Sequence, residues 1–551
     1  MEAAHFIPLG ESSSAGSNSQ QSLLSAMLDP AFYPHGPSEV TRRQTHISDL
    51  FFAGELVYKI KKSVRYSFVD YSSLARRKFF LQEELRLNRR LAPSVYLAIL
   101  PISHDDYGWQ LGSDAHPAEY VLVMRRLPEK RMLDYLLERG QVTPRMMAAL
   151  AEILIPFHHE AARGQRKHAC GHPSSAQKIW EENLADLAPF VGRTIDAESL
   201  AAIRAFGGRF LDENAELMYR RAAEGRIREI HGDLHCEHIC FAPEGIQIFD
   251  CVEFSPQLRR CDVASEVAFL LMDLEARGAK EQGRQFLERY LELTEDSELP
   301  KLLPFYQCYR ALVRGKVYSL ISQDTVGAAS RYFDLAYSYT WRQSKPFVIM
   351  ISGLTGSGKS TLARALSRRL GVPVINSDVV RKGIAGTSNR RNQVSYAEGI
   401  YSASMTGRAY RKMTEEAERH LVAGEGVILD ATFQKASQRS AVFEAAARRG
   451  APVAIIHCHS REGLTQERLA RRAEAGNDIS DGAWPVYLKQ KDLFEPFAES
   501  SNYFALDTEP PVADLCGKAE QFLRATFSNR RRQSDSYPIE QPASNLVSAS
   551  R

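Results

Sequence analysis

The chain is 551 residues long, 44% hydrophobic and 25% charged, a balance that belongs to folded protein and, at this length, to more than one domain. A formal net charge of +3 gives no electrostatic argument for nucleic acid or a membrane surface, and no apolar run is long enough to span a bilayer. Met1 to Gln21 lacks the basic start and apolar core of a secretory signal, and eight cysteines over this length make no disulfide framework, so a reducing cytoplasm is the expected setting.

Residues 1 to 40 mix Ser, Gly and Pro around a short amphipathic piece, Leu23 to Leu28, and read as a flexible leader. Two strands follow, His46 to Ala53 and Leu56 to Lys61, joined at a Gly54-Glu55 turn. Helical periodicity marks Ser73 to Leu91, Arg131 to Arg139 and Pro144 to His159, and Glu119 to Met124 is a short apolar strand. Residues 175 to 225 and 260 to 340 are mostly helical, and between them Ile246 to Phe249 is a strand ending in Asp250. Arg342 to Pro346 is polar and closes on proline, which sets a domain boundary. Beyond it strands and helices alternate, the pattern of a parallel sheet covered on both faces. Residues 529–551 read as a disordered tail, its three arginines a solvated end.

One constellation of polar residues lies in the first part, at His231-Gly232-Asp233-Leu234-His235-Cys236-Glu237-His238, with Asp250 after the next strand. An aspartate in a His-x-Asp loop and a second at a strand end are what a kinase-like site uses to accept a hydroxyl proton and to hold Mg²⁺. The pattern resembles the aminoglycoside phosphotransferase group of kinase-like enzymes, whose loop reads H-G-D-L-H-x-x-N. The likeness spans Thr45 to Trp341, a domain set at 41–342, and implies an α+β protein-kinase-like fold. It implies that Lys59 binds phosphate, with Lys61 on the same strand face as the alternative. It further implies that Glu84 pairs with that lysine, that Glu119 to Met124 is the hinge strand, and that Asp233 is catalytic. Metal would fall to Asp250 and to His238, which stands where the group has Asn, with Glu253 in reserve. No glycine-rich loop precedes Lys59.

The same stretch offers metal-ligand residue types: His231, His235, Cys236, His238, Cys240, Cys251 and Cys261, and earlier His168, Cys170 and His172. Their spacings form no closed zinc pattern, so the cysteines read as core packing and His231 and His235 as braces of the loop. His158-His159 reads as structural. Asp262 is placed to cap the apolar helix Val267 to Leu274 and to hydrogen-bond the loop.

The second constellation is more specific. Gly353-Leu354-Thr355-Gly356-Ser357-Gly358-Lys359-Ser360 follows the apolar strand Phe347 to Ser352 and opens a helix that Gly371 stops. This is a phosphate-binding loop, in which glycines let successive N–H groups face phosphate oxygens and the helix N-terminus adds positive potential. Lys359 reaches the β- and γ-phosphates, Ser360 holds Mg²⁺, and Thr361 continues the loop into the helix. Asp430 ends the buried run Val427 to Leu429, a second place for metal, and Asp378 ends another strand, near Arg381. Arg468, Arg471 and Arg472 lie on one helix, followed by Asp478, Ser480 and Asp481.

Residues Pro346 to Phe527 resemble the small P-loop kinase group that includes gluconate kinase, adenylate-kinase-like enzymes, zeta-toxin kinases and polynucleotide kinase. The likeness implies a P-loop domain over 346–528, an acceptor contact at Asp378 and lid arginines at Arg468 and Arg472. The tandem order resembles bacterial proteins described as bifunctional aminoglycoside phosphotransferase and ATP-binding proteins. The expectation is an ATP- and Mg²⁺-dependent phosphotransferase acting on a small hydroxyl acceptor, with no membrane or nucleic-acid partner. Two rival expectations are a regulatory protein whose first half is a pseudokinase, and a polynucleotide end kinase, which would need a basic channel. Neither the acceptor nor the oligomeric state is legible.

Overall fold

Strict alternation along Leu56–Lys61 gives that strand two faces: Tyr58 and Ile60 point one way, Val57, Lys59 and Lys61 the other. The computed structural model describes residues 14–66, 69–113, 116–163, 172–321, 325–344, 346–386, 401–475, 483–497 and 502–534. They fall into two compact units, 1–340 and 341–551. No helix among the described residues is long and apolar enough to cross a membrane.

The first unit opens with a six-stranded antiparallel sheet. Its spatial order is Val40–Gln44, Ser48–Ala53, Leu56–Lys61, Pro117–Arg125, Tyr96–Asp105 and Gly108–Leu111. The sheet thus has an edge strand, Val40–Gln44, that the sequence pattern does not show, and its link to Ser48–Ala53 contains no glycine. The leader itself is structured from Ser14, as helix Ser14–Ala26. Leu23, Met27 and Tyr33 are buried with Phe51, Tyr58, Ile60 and Val121, and the Tyr33 hydroxyl donates to the Met27 carbonyl at 2.6 Å. Apolar residues spaced by a turn cover the sheet face that would otherwise meet water, which overturns the flexible reading for these residues.

On the other face Val57, Tyr96 and Leu122 cluster with Val95 and with Leu81 of helix Leu74–Asn88, which Ser73 caps. Helices make up most of the rest of this unit. Val263–Ala276 is buried throughout its first twelve residues, Val263 to Leu274, and packs on Leu299–Ile321. Two short ribbons, Ile239–Ala242 with Gly245–Ile248 and Ile227–Glu229 with Arg260–Asp262, frame the loop at Asp233.

The second unit is a five-stranded sheet of parallel pairs in the order Val374–Asn376, Val427–Asp430, Val348–Ser352, Val453–His459 and Tyr503–Asp507. Buried on both faces, its central strands are continuous apolar runs rather than alternating ones. Helix Lys359–Leu370 follows the glycine-rich loop and ends at Gly371, in the left-handed region at φ +61°. The last helix, Val512–Ser534, continues past the expected start of the tail; residues 535–551 lie outside the described ones.

Candidate active sites

In the first unit, alternation aims Lys59 at helix Leu74–Asn88, where Glu84 is one of the buried residues. Lys59 Nζ lies 2.7 Å from Glu84 Oε1 and 3.2 Å from Asp250 Oδ1. Burial disfavours every charge here, but each group's partners outweigh it. Lys59 is therefore raised well above its ordinary value, and Glu84 and Asp250 are held below theirs. Lys61, the alternative lysine, bonds Glu84 Oε2 at 2.8 Å and Glu253 Oε1 at 2.6 Å, and Tyr71 also donates to Glu253 at 2.8 Å. Glu253 is thus committed to Lys61 and is no reserve metal ligand. Asp250 sits two residues past the strand, at φ +63°, with its N–H on the Tyr96 hydroxyl.

His238 lies between the two aspartates, Nδ1 at 3.3 Å from Asp233 Oδ2 and Nε2 at 3.6 Å from Asp250 Oδ2. Mg²⁺ requires oxygen donors. An imidazole facing both carboxylates does not fit it, so the Asp250–His238 pair expected from the sequence is a poor Mg²⁺ site.

Sequence reasoning missed what holds the loop. Glu266 Oε1 accepts the N–H groups of His231 and Gly232 at 2.7 and 3.1 Å, and its Oε2 faces His158 Nε2 at 2.8 Å. Asp273 Oδ2 accepts Cys236 N–H at 3.0 Å, and Arg310 Nη1 donates to the Gly232 carbonyl at 2.9 Å. Asp262 caps its helix through Ala264 N–H as expected, but its carboxylate turns to Arg221 at 2.8 Å and not to the loop. His231 bonds the Phe249 carbonyl at 2.9 Å, a brace as anticipated; of the earlier trio, His168 and Cys170 lie outside the described residues, and Ser174 is hydrogen-bonded to His172.

In the second unit the parallel register sets Asp430 beside Ile351, at the strand end from which the glycine-rich loop departs. Gly353 has φ +148°, and a Cβ there would stand 2.5 Å from the Cys458 carbonyl oxygen; Gly356 and Gly358 also have positive φ. Thr355 Oγ1, Ser357 Oγ and Asp430 Oδ1 are buried with no hydrogen-bond partner. Asp430 Oδ2 takes Asn376 Nδ2 at 2.6 Å. Lys359 Nζ contacts the Leu354 carbonyl at 3.4 Å, and Ser360 and Thr361 start the helix. Asp378 lies in the first turn of helix Ser377–Ala385 rather than on a strand, its N–H on Asn376 Oδ1 at 2.9 Å and its carboxylate paired with Arg381.

Arg468 is not disposed as a lid. It donates to Thr508 Oγ1 at 3.1 Å and to the Thr508 carbonyl at 2.7 Å, while Thr508 donates to the Ser357 carbonyl at 2.8 Å, so it is tied to the loop's base. Arg472 lies one turn further along Glu462–Ala475, and Asp478, Ser480 and Asp481 fall outside the described residues.

Residues 57–305 match the model of the phosphotransferase enzyme family, and residues 348–497 match that of an AAA domain. The chain joins a domain that matches the phosphotransferase enzyme family to a P-loop domain that matches the AAA model. An uncharacterized protein of Mycobacterium tuberculosis is 29% identical over 443 residues, 80% of this chain and 87% of that one. A tRNA dimethylallyltransferase of Anaeromyxobacter dehalogenans is 27% identical over 213 residues, 33% of this chain and 69% of its own. Among solved structures, a gluconokinase from Sinorhizobium meliloti is 22% identical over 34% of this chain and 98% of its own, with a TM-score of 0.27. A choline/ethanolamine kinase family protein from Mesorhizobium loti is 14% identical over 57% of this chain and 94% of its own, with a TM-score of 0.35. The phosphotransferase-family domain therefore contains Lys59, Glu84, Asp233, His238 and Asp250, and the P-loop domain contains Lys359, Ser360, Asp378, Asp430, Arg468 and, in the same helix, Arg472.

Proposed function

We propose that the protein is an ATP-dependent phosphotransferase whose P-loop domain moves the γ-phosphoryl group of Mg-ATP to a small hydroxyl-bearing acceptor. The observation that carries this reading is the set of three buried, unbonded oxygens, Thr355 Oγ1, Ser357 Oγ and Asp430 Oδ1, around a glycine turn that admits no Cβ at Gly353. Buried polar atoms cost free energy unless a partner arrives, and nucleotide phosphate with its hard cation is the partner this chemistry suits. Ser360 and Asp430 would hold Mg²⁺, which neutralises phosphate charge. Lys359 would leave the Leu354 carbonyl for the phosphates, Arg468 would hold the loop through Thr508, Asp378 would orient the acceptor hydroxyl, and Arg472 would approach the transferred group. Phosphoryl transfer asks mainly for such positioning and charge neutralisation.

The test is ATP turnover by the purified chain with sugars, sugar acids, nucleosides, aminoglycosides and oligonucleotides, beside Lys359→Ala and Asp233→Ala. One acceptor should stimulate turnover, and Lys359→Ala should abolish it. Turnover that survives Lys359→Ala and dies with Asp233→Ala would move the chemistry to the other domain.

One observation favours a second reading for the phosphotransferase-family domain, namely a nucleotide-sensing module without turnover. The His238 ring lies between Asp233 and Asp250, so an imidazole rather than an oxygen donor faces both carboxylates. It predicts nucleotide binding there without loss of phosphate.

A further inference from the structure

Three buried donors in the phosphotransferase-family domain have no role in the P-loop chemistry. One ligand atom from each of Asp233, His235 and His238 lies within 4.8 Å of the other two. Asp233 Oδ2 is 3.3 Å from His235 Nε2 and 3.3 Å from His238 Nδ1. A tetrahedral ion with bonds of about 2.0–2.1 Å holds its donors about 3.3–3.4 Å apart, so both edges have the length such an ion imposes. The Asp233 carbonyl oxygen accepts a hydrogen bond from His238 Nδ1 at 3.0 Å, a proton that a bound ion would displace.

What stands behind the imidazoles points the same way. His238 Nε2 faces Asp250 Oδ2 at 3.6 Å, and His235 Nδ1, buried without a hydrogen bond, faces Glu237 Oε2 at 3.9 Å. A carboxylate on the far nitrogen orients a metal-binding imidazole and raises its basicity. Arg314, whose Nη1 is 3.5 Å from His235 Nε2, and Arg277 both pair with Glu237, at 3.4 and 2.6 Å, and Lys59 pairs with Asp250 at 3.2 Å. Two nitrogens and an oxygen suit zinc and its neighbours rather than magnesium.

We propose that Asp233, His235 and His238 bind one zinc-class divalent transition-metal ion, with Asp250 and Glu237 orienting the two imidazoles. The spacing Asp-x-His-x-x-His resembles no paired zinc motif, so only the fold of the loop assembles it. With Asp233 committed as a ligand, the domain reads metal occupancy instead of accepting a hydroxyl proton. The proposal stands apart from turnover by the P-loop domain, and its readout is metal, so each can fail alone.

The experiment uses the untagged full chain, stripped with chelator, desalted and loaded with Zn²⁺ alone. Bound metal is counted by mass spectrometry and affinity is read by competition with a chromophoric chelator. One ion per chain is expected. His238→Asn and His235→Asn should each remove it, His231→Gln should keep it, and Asp250→Asn should weaken binding by about 10–100-fold. Co²⁺ in the wild-type chain should give the intense visible bands of a tetrahedral N/O site, a readout no variant's folding can compromise. A wild-type chain that binds no ion, weak octahedral Co²⁺ bands, or unchanged stoichiometry in a folded His235→Asn/His238→Asn double variant would overturn it.

Discussion

At the scale of single residues, the two domains present opposite polar economies. Around the glycine-rich loop of the P-loop domain three buried oxygens have no hydrogen-bond partner, whereas around Lys59 in the other domain ion pairs close on themselves before any ligand arrives. Lys59 shows the second case. Glu84 is shared by Lys59 and Lys61, so one carboxylate neutralises two buried ammonium groups. Glu84→Gln leaves Lys59 with Asp250 and Lys61 with Glu253 but removes the common counter-charge. Breaking one partner of a buried pair costs about 3–5 kcal/mol, so denaturant unfolding followed by a probe of the first domain should show a loss of that order. A loss below about 1 kcal/mol would mean that Asp250 and Glu253 suffice as counter-charges. Gly353 shows the first case: Gly353→Ala puts a methyl 2.5 Å from a backbone oxygen at φ +148°, where no side-chain motion relieves it. Nucleotide binding, measured by fluorescent-analogue titration, should fall by at least the factor seen for Lys359→Ala. Equal affinity to wild type would show that the loop does not hold its turn on binding.

At the scale of elements, helix Val263–Ala276 is the clamp of the loop at Asp233. Its apolar run reads as plain core, and the sequence reading took it so. Glu266 and Asp273 lie two turns apart on that helix, so both carboxylates face one side of it, yet their value depends on a loop that precedes the helix by some thirty residues and folds back along it. Nothing local marks such a contact. Glu266→Gln keeps one carbonyl oxygen for the two N–H groups but loses the charge facing His158; a cost of about 1–3 kcal/mol is expected, with faster amide exchange at His231 and Gly232. Protected amides would place the clamp elsewhere. What was legible is instructive by contrast. The glycine-rich loop, Lys59 on its strand and Asp430 at a strand end follow from local spacing and period alone. The leader was not legible, because Leu23, Met27 and Tyr33 gain their meaning from Phe51 and Tyr58, which are distant in sequence. Met27→Ala, at a fully buried site, should cost about 2–5 kcal/mol, which thermal unfolding would register; a flexible leader would give no change. Arg468 is expected in a lid for a related reason: nothing near it in sequence marks Thr508, which arrives from the last strand's end and ties it down.

At the scale of the whole molecule, acid should act through buried histidines first and through paired carboxylates below them. In the second unit His457, among Phe494, Phe497 and Tyr503, is pushed down to about 4 by burial, with His459 and Arg439 adding to it. Unfolded, it protonates near about 6.5. Between those values the unfolded chain binds a proton that the folded chain refuses, so stability rises with pH through this window and falls as the solution is acidified from about 6.5 to 4. The slope from this one group is at most about 1.4 kcal/mol per pH unit. In the first unit Asp296 opposes burial through Arg221, 2.6 Å away, and is held below its ordinary value. Its stabilisation is present above about 3.9 and is lost only as pH falls through the lower, folded-state value. Unfolding free energies measured from pH 7 to pH 3 should therefore decline in two stages. His457→Gln should lessen the first stage, to which the first unit's His231, pushed down to about 4 by burial, also contributes, while Asp296→Asn should lower stability at neutral pH and lessen the second. If His457→Gln leaves the decline between pH 6.5 and 4 untouched, the imidazole is charged in the folded state and its aromatic surroundings, by cation–π attraction, hold the proton rather than exclude it.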